Sequence, residues 1–226
     1  MLEFDWKNNI TNREEKIKLA KKIASRVKNN EIIGFGSGST SYLAIEEIAK
    51  KIKNENLNIK AIPTSTIIEN LCNELNIPIT TLKQNKPNWC FDGADEVDKN
   101  NWLIKGMGAA LYREKLNIKN CKENYILVDD SKFVNYLGEK NPVPVECDKD
   151  KIEYVSFELQ KLGAKNIKVQ MSKQNDKEPL ITDNGKVILH VNFIKIYQDY
   201  EEKIKNIDGV LESGLFIGYP ITIVRT

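Results

Sequence analysis

Histidine is nearly missing from this 226-residue chain: His190 stands alone. A Ser-His-Asp triad or a His-based metal centre therefore has almost no material, and acid–base chemistry falls to carboxylates and lysines. Cysteine is sparse as well. Cys72, Cys90, Cys121 and Cys147 lie far apart with no CxxC pair, the pattern of free thiols packed as small apolar side chains in a reducing compartment. No apolar run approaches the ~18 residues of a membrane span. The opening MLEFDWKNNITNREEK lacks the apolar centre of a secretory signal. A surplus of one charge is absent too: 34 Lys and Arg face 32 Asp and Glu, a net +2, where a nucleic-acid surface needs a basic excess. The Lys-rich pieces KIKLAKK and KKIKNEN interleave lysines with apolar residues at helical spacing, which makes them solvated helix faces. Repeats and low-complexity linkers are also lacking. Together these absences point to a cytoplasmic protein without a nucleic-acid or membrane partner.

What is present is a core-forming pattern. Hydrophobic residues make up 41% of the chain, enough for one large domain or a main domain with a smaller one. EIIGFG (31–36) reads as a buried strand, and SYLAIEEIAKKIK as a helix with Leu43, Ile45, Ile48 and Ile52 on its apolar side. NIKAIPT, ITTL, NWCFDG and NYILVDD follow as strands, with STIIENLCNELN and GAALYREKLNI as helices between them. This alternation predicts an α/β fold, a Rossmann-like parallel sheet flanked by helices. At LGEKNPVPVECD two prolines and a charge cluster mark a boundary. Beyond it come an amphipathic helix (KIEYVSFELQKLG), a strand (NIKVQMS), a hairpin (PLITDNGKVILHV, turning at Asp183-Asn184-Gly185) and another helix (IYQDYEEKIKNI). The expected organisation is a main domain of residues 1–141 plus 206–226, with a smaller α+β domain at 142–205. The apolar segment GVLESGLFIGYPITIVRT is expected to return to the main sheet.

Four stretches carry candidate chemistry. GFGSGST (34–40) joins a strand to a helix, with three alternating glycines and the hydroxyls of Ser37, Ser39 and Thr40. It is neither the dinucleotide fingerprint nor a P-loop, but it suits a phosphate at a helix N-terminus better than it suits a plain cap by Ser39 or Thr40. PTST (63–66) is an N-cap or part of the same rim, with equal weight. FDGADEVD holds Asp92, Asp95, Glu96 and Asp98. It lacks EF-hand spacing, and a Mg²⁺ site, a proton-handling pair and a wet loop all remain open for it. In KGMGAALYREK, Glu114 lies about six residues beyond Gly108, roughly 9 Å along a helix at ~1.5 Å per residue, so Lys105 and Glu114 would make an acid–base pair. On that stretch alone, an exposed face of Arg113, Glu114 and Lys115 is the stronger reading. His190 reads as structural.

Taken in order, GFGSGST, PTST, FDGADEVD, KGMGAALYREK, VDDSK, LITDNGKVILHV and GVLESGLF resemble the ribose-5-phosphate isomerase A family, from about residue 15 onward. The resemblance implies interconversion of D-ribose 5-phosphate and D-ribulose 5-phosphate through a cis-enediolate, with no cofactor and no metal. It implies that Glu114 is the base, and that Asp92, Asp95 and Lys105 assist ring opening and bind hydroxyls. It also implies substrate contacts from Ser37, Gly38, Ser39 and Thr40, from Asp92, Gly93, Ala94 and Asp95, from Lys105, Gly106, Met107 and Gly108, and from Lys132, with Lys16 as a further phosphate contact. A homodimer or homotetramer is implied as well. Glu96 and Asp98 receive no task and are expected on the wet side of the loop. Ser37 stands where the family usually has Thr, and Tyr112 likewise. Met107 stands where a third Gly is common, an expected narrowing of backbone freedom beside the substrate. The rival readings are a phosphosugar sensor, an amino-sugar-phosphate deaminase and an acyl-CoA transferase. A sensor usually brings a helix-turn-helix segment, and a deaminase a site histidine.

Overall fold

The computed structural model describes residues 10–226; the N-terminal stretch read above for a signal segment falls largely outside them. Along the chain the elements are α1 (Arg13–Ala24), β1 (Ile32–Phe35), α2 (Ser39–Glu55), β2 (Lys60–Pro63), α3 (Thr66–Glu74), β3 (Trp89–Gly93), β4 (Glu96–Val97), β5 (Leu103–Ile104) and α4 (Leu111–Asn120). Next come β6 (Asn124–Leu127), β7 (Val143–Cys147), α5 (Ile152–Lys161), β8 (Ala164–Val169) and β9 (Val187–Phe193). The chain then closes with α6 (Tyr200–Lys205), β10 (Val210–Ser213), β11 (Leu215–Phe216) and β12 (Thr222–Val224). Among the described residues no helix is long and apolar enough to cross a membrane.

The chain forms two compact units. One holds the described residues up to Gly93 together with Arg113–Ser131 and Tyr219–Thr226. Its five-stranded sheet runs β12-β6-β3-β1-β2 with every pairing parallel. Burial on both faces explains the near-continuous apolar strands: Ile33 and Phe35 in β1 and Phe91 in β3 are at most 1% exposed. Phe35 and Phe91 lie with ring centroids 5.2 Å apart. α1 offers Leu19, Ala20, Ile23 and Ala24, and α2 offers Leu43, Ala44, Ile45 and Ile48, as the apolar stripes that cover the sheet. The chain leaves β1 toward β2 on one side and returns as β3 on the other. The β1/β3 crevice is therefore the topological switch point, where ligands bind at the carboxyl ends of strands.

The other unit holds Ala94–Tyr112 and Lys132–Gly218. It contains a four-stranded antiparallel sheet, β10-β7-β9-β8, and a three-stranded sheet, β11-β5-β4. Val145, Cys147, Val187, Leu189 and Val191 pack with Val155 and Leu159 of α5 and Ile204 of α6. β5 pairs with both β4 and β11, and β7 pairs with β10, which draws both flanking segments into this unit.

Three local expectations are corrected. ITTL is no strand. Ile79 makes a single bridge to Ala61, and Thr80 then turns the chain through side-chain bonds with Gln84 and Asn85. In NPVPVEC, Pro144 sits inside β7 and its carbonyl accepts the Gly214 N–H at 2.6 Å. The hairpin around Gly185 has its turn, with φ +72 at Gly185 and Thr182 N–H bonded to Lys186 O. Its first arm is not a strand, however; β9 pairs with β7 and β8 instead. Of the closing segment, only β12 joins the parallel sheet, because β10 and β11 are taken up by antiparallel partners.

Candidate active site

In the first unit the GFGSGST turn leaves the carboxyl end of β1. Gly36 is required by close approach, since a Cβ there would lie 2.2 Å from Asp92 Cγ. Gly38, at φ +112, is the N-cap residue of α2, a conformation that glycine adopts without strain. Ser39 thus opens the helix rather than capping it, and its hydroxyl is turned to another use: it accepts a hydrogen bond from the buried Lys16 Nζ at 3.0 Å. A cation, a hydroxyl and the positive end of α2 meet there, the composition of a phosphate site. Ser37 is buried, donates to Ser65 Oγ at 2.8 Å and lies 2.8 Å from Thr64 Oγ1. Ser65 is also the N-cap of α3, accepting from Ile68 N–H, so the capping reading of PTST holds, and Thr64 and Ser65 share a hydroxyl cluster with Ser37.

Asp92, at the end of β3, is 4% exposed, and so is Glu114 on α4. Gly36, Thr64, Asp92, Glu114, Asn117 and Tyr125 line one cavity in this unit. The reading of Arg113, Glu114 and Lys115 as an exposed face is overturned, since Lys115 is only 1% exposed. Asp92 Oδ1 accepts the Gly93 N–H at 2.8 Å and the Ser41 hydroxyl at 3.3 Å. Ser41 and Asn117 were not singled out in the sequence. Asn117 could have been, because it lies one turn beyond Glu114 on the same helix face.

The second unit carries the other named residues. Asp95 accepts the Met107 N–H on Oδ2 at 3.2 Å, and its own N–H bonds to Ile104 O. Lys105 is 2% exposed, its N–H held by Gly214 O at 2.9 Å and its Nζ 5.6 Å from the Phe216 ring centre, within cation–π range. Gly106 takes φ +103, and a Cβ there would meet Leu111 at 2.6 Å. Met107 is not among the positive-φ residues, so its side chain carries no left-handed backbone strain at that position. Lys132 closes a short 3-10 turn, Asp130–Lys132, after β6.

The wet-loop expectation for Glu96 and Asp98 is corrected. Glu96 is fully buried and accepts backbone N–H groups of Gly138 and Lys140 at 2.7 Å and of Asn141 at 2.5 Å. Asp98 is 6% exposed and accepts from Asn100 and Trp102 N–H. Composition alone reads these acids as solvated; the fold satisfies them with backbone donors instead. Among the described residues no group of three or more His, Cys, Asp or Glu could hold a metal ion.

Residues 60–225 match the family model described as ribose 5-phosphate isomerase A (phosphoriboisomerase A). A ribose-5-phosphate isomerase A of Synechococcus sp. is 41% identical over 208 residues, covering 90% of this chain and 88% of that protein. The relative from Methanocaldococcus jannaschii is 37% identical, covering 96% of each, and its solved structure superposes with a TM-score of 0.89 at 36% identity, covering 94% of this chain and 95% of that one. A solved D-ribose-5-phosphate isomerase in complex with phospho-erythronic acid also gives a TM-score of 0.89 at 34% identity, with 95% of each chain covered. By these matches and by the order of its motifs, this chain belongs to the ribose 5-phosphate isomerase A family.

Proposed function

We propose that the chain interconverts D-ribose 5-phosphate and D-ribulose 5-phosphate. Two nearly buried carboxylates, Asp92 and Glu114, on one cavity at the carboxyl end of β3 carry this reading. The family relatives bearing that name support it. So does the phospho-erythronic acid bound by one of them: a planar carboxylate on a phosphorylated carbon chain has the charge and shape of an enediolate, which an isomerase must bind more tightly than its substrate.

The ribose ring opens first: the O1 hydroxyl gives up its proton, the C1–O4 bond breaks, O4 takes a proton, and C1 becomes an aldehyde. Asp92 is the proposed acceptor of the O1 proton, with Asp95 and Lys105 binding hydroxyls and supplying the proton to O4. Glu114 then removes the C2 proton, and the electron pair moves through C1=C2 onto O1. Lys105 stabilises the charge that gathers on the enediolate oxygens. A proton passes from O2 to O1, Glu114 returns its proton to C1, and C2 is left as the ketone. Ser37–Thr40 and Lys16 hold the phosphate, which takes no part in the bond changes but fixes the reacting carbons against the base. Gly93, Ala94, the Lys105–Gly108 turn and Lys132 complete the substrate contacts. The enzyme needs no cofactor or metal, works in the cytoplasm as a homodimer or homotetramer, and uses residues 142–205 as a lid-like domain.

The test is conversion of ribose 5-phosphate by purified protein with EDTA present throughout. Turnover under EDTA is the expected result. Turnover only after Mg²⁺ or Mn²⁺ is added would overturn the metal-free mechanism. Binding without turnover under both conditions would overturn the isomerase reading in favour of a sensor.

A further inference from the structure

We propose that Ser41 is a positioning residue for Asp92, and that this pairing serves the opening of the sugar ring rather than proton transfer at carbon. The inference rests on the isomerase reading above. Ser41 is the third residue of α2 and is fully buried. A buried hydroxyl without a partner is costly, and this one donates to Asp92 Oδ1 at 3.3 Å. The same oxygen receives the Gly93 N–H at 2.8 Å. Gly36 lies directly against the carboxyl group, with space for no Cβ. The carboxylate is thus set from three directions: the end of β1, the backbone of its own strand, and the first turn of α2.

The third of these matters most. Ser39, bonded to Lys16, and Ser41, bonded to Asp92, are two residues apart on one helix. The first turn of α2 therefore ties the phosphate turn to the carboxylate, and a rigid turn sets the span between them. Gly93 alone would hold the carboxylate to β3 but not to the helix that carries the phosphate contacts.

D-Ribulose 5-phosphate separates ring work from carbon work. Its C5 oxygen carries the phosphate, so it forms no furanose, and its C1 proton exchanges with solvent through Glu114 without any ring step. Two rates are compared in D2O: turnover of ribose 5-phosphate, and loss of the C1 proton signal of ribulose 5-phosphate by NMR. In Ser41→Ala, and in the volume-keeping Ser41→Cys, kcat for ribose 5-phosphate is expected to fall roughly tenfold with KM within about twofold. C1 exchange should stay within about twofold of the unmodified protein, and Ser41→Thr, which keeps the donor, should restore turnover. Thermal unfolding of each variant shows that the fold is retained. An equal fall in exchange and turnover, or no fall in either, overturns the proposal. Absence of turnover in the unmodified protein is a failure of the isomerase reading instead, and the same assay shows it first.

Discussion

At the scale of single residues, the chemistry turns on which carboxylates are buried and what holds them. Glu114→Gln keeps the shape of the side chain and removes the base. Turnover should fall by about a thousandfold or more while ribose 5-phosphate binding by calorimetry stays near its unmodified value; activity within tenfold would remove Glu114 from that role. Ser39→Ala combined with Thr40→Ala should mainly raise KM, because the lost contacts are to the phosphate, and an unchanged KM would count against that turn. Gly36→Ala drives a methyl group onto Asp92, 2.2 Å from Cγ. Kinetics should show a loss of at least tenfold in kcat, with a stability cost of about 1–3 kcal/mol from overpacking. Much of this site is legible in the sequence, since glycines at a strand end and acids after an apolar run are local signals. Glu96 and Ser41 are not legible in that way. Their partners are the backbone of Gly138–Asn141 and a strand fifty-one residues distant in the chain, and neither is visible until the fold brings them together. Asp98 is held locally, by the turn N–H groups of Asn100 and Trp102, which acidic composition by itself does not reveal.

At the scale of elements, local pattern carries well and pairing does not. The helices and the strands of the parallel sheet follow apolar periodicity, which each segment displays by itself. The first arm of PLITDNGKVILHV has the apolar character of a strand, yet Pro179 cannot donate to a ladder, and Leu180 instead packs with Ala109, Leu111 and Ile188. Which strand takes β9 as neighbour is a tertiary choice, decided by β7 and β8. Glu96 anchors an element of its own kind, the loop 138–141, through three backbone N–H groups. Glu96→Ala leaves those part-buried donors without that acceptor. Denaturant unfolding should show a loss of about 3 kcal/mol, and hydrogen exchange should quicken at Gly138, Lys140 and Asn141. Glu96→Gln should lose less, since its carbonyl oxygen still accepts. Equal losses in the two variants would refute this account of the anchor.

At the scale of the whole molecule, a fully buried carboxyl and a half-buried imidazole in the antiparallel unit pull stability in opposite directions with pH. Glu146 is fully buried, takes Thr182 and Asn184 on Oε1, and has no partner for Oε2 among the described residues. Burial pushes its carboxyl above the ordinary range. Above the unfolded value the unfolded chain releases a proton that folded Glu146 keeps, so stability falls as pH rises through the raised value. His190 is shifted the other way, held below the usual imidazole value by burial. As pH drops below that usual value the unfolded chain gains a proton that folded His190 refuses, so stability falls again. In a melting-temperature scan over pH, the Glu146 contribution should be lost as pH rises above the ordinary carboxylate range, and the His190 contribution as pH falls below the ordinary imidazole value. Glu146→Gln is expected to remove the loss that sets in above the carboxylate range, and an unaltered profile would rule Glu146 out as its source. Thiol titration belongs at this scale too. Cys72 and Cys147 are buried and pushed up to about 12 by desolvation, so both should react with a thiol reagent only as fast as the protein unfolds.

The parallel sheet is completed by the last strand to be made. β12 pairs with β6 at the edge of a sheet whose other strands lie in the first part of the chain. On the ribosome, β6 must wait, one edge unsealed, while residues 132–218 of the antiparallel unit are synthesised. A nascent chain halted before Thr222 would present that edge to any strand nearby, an exposure that lasts for as long as residues 132–218 take to emerge.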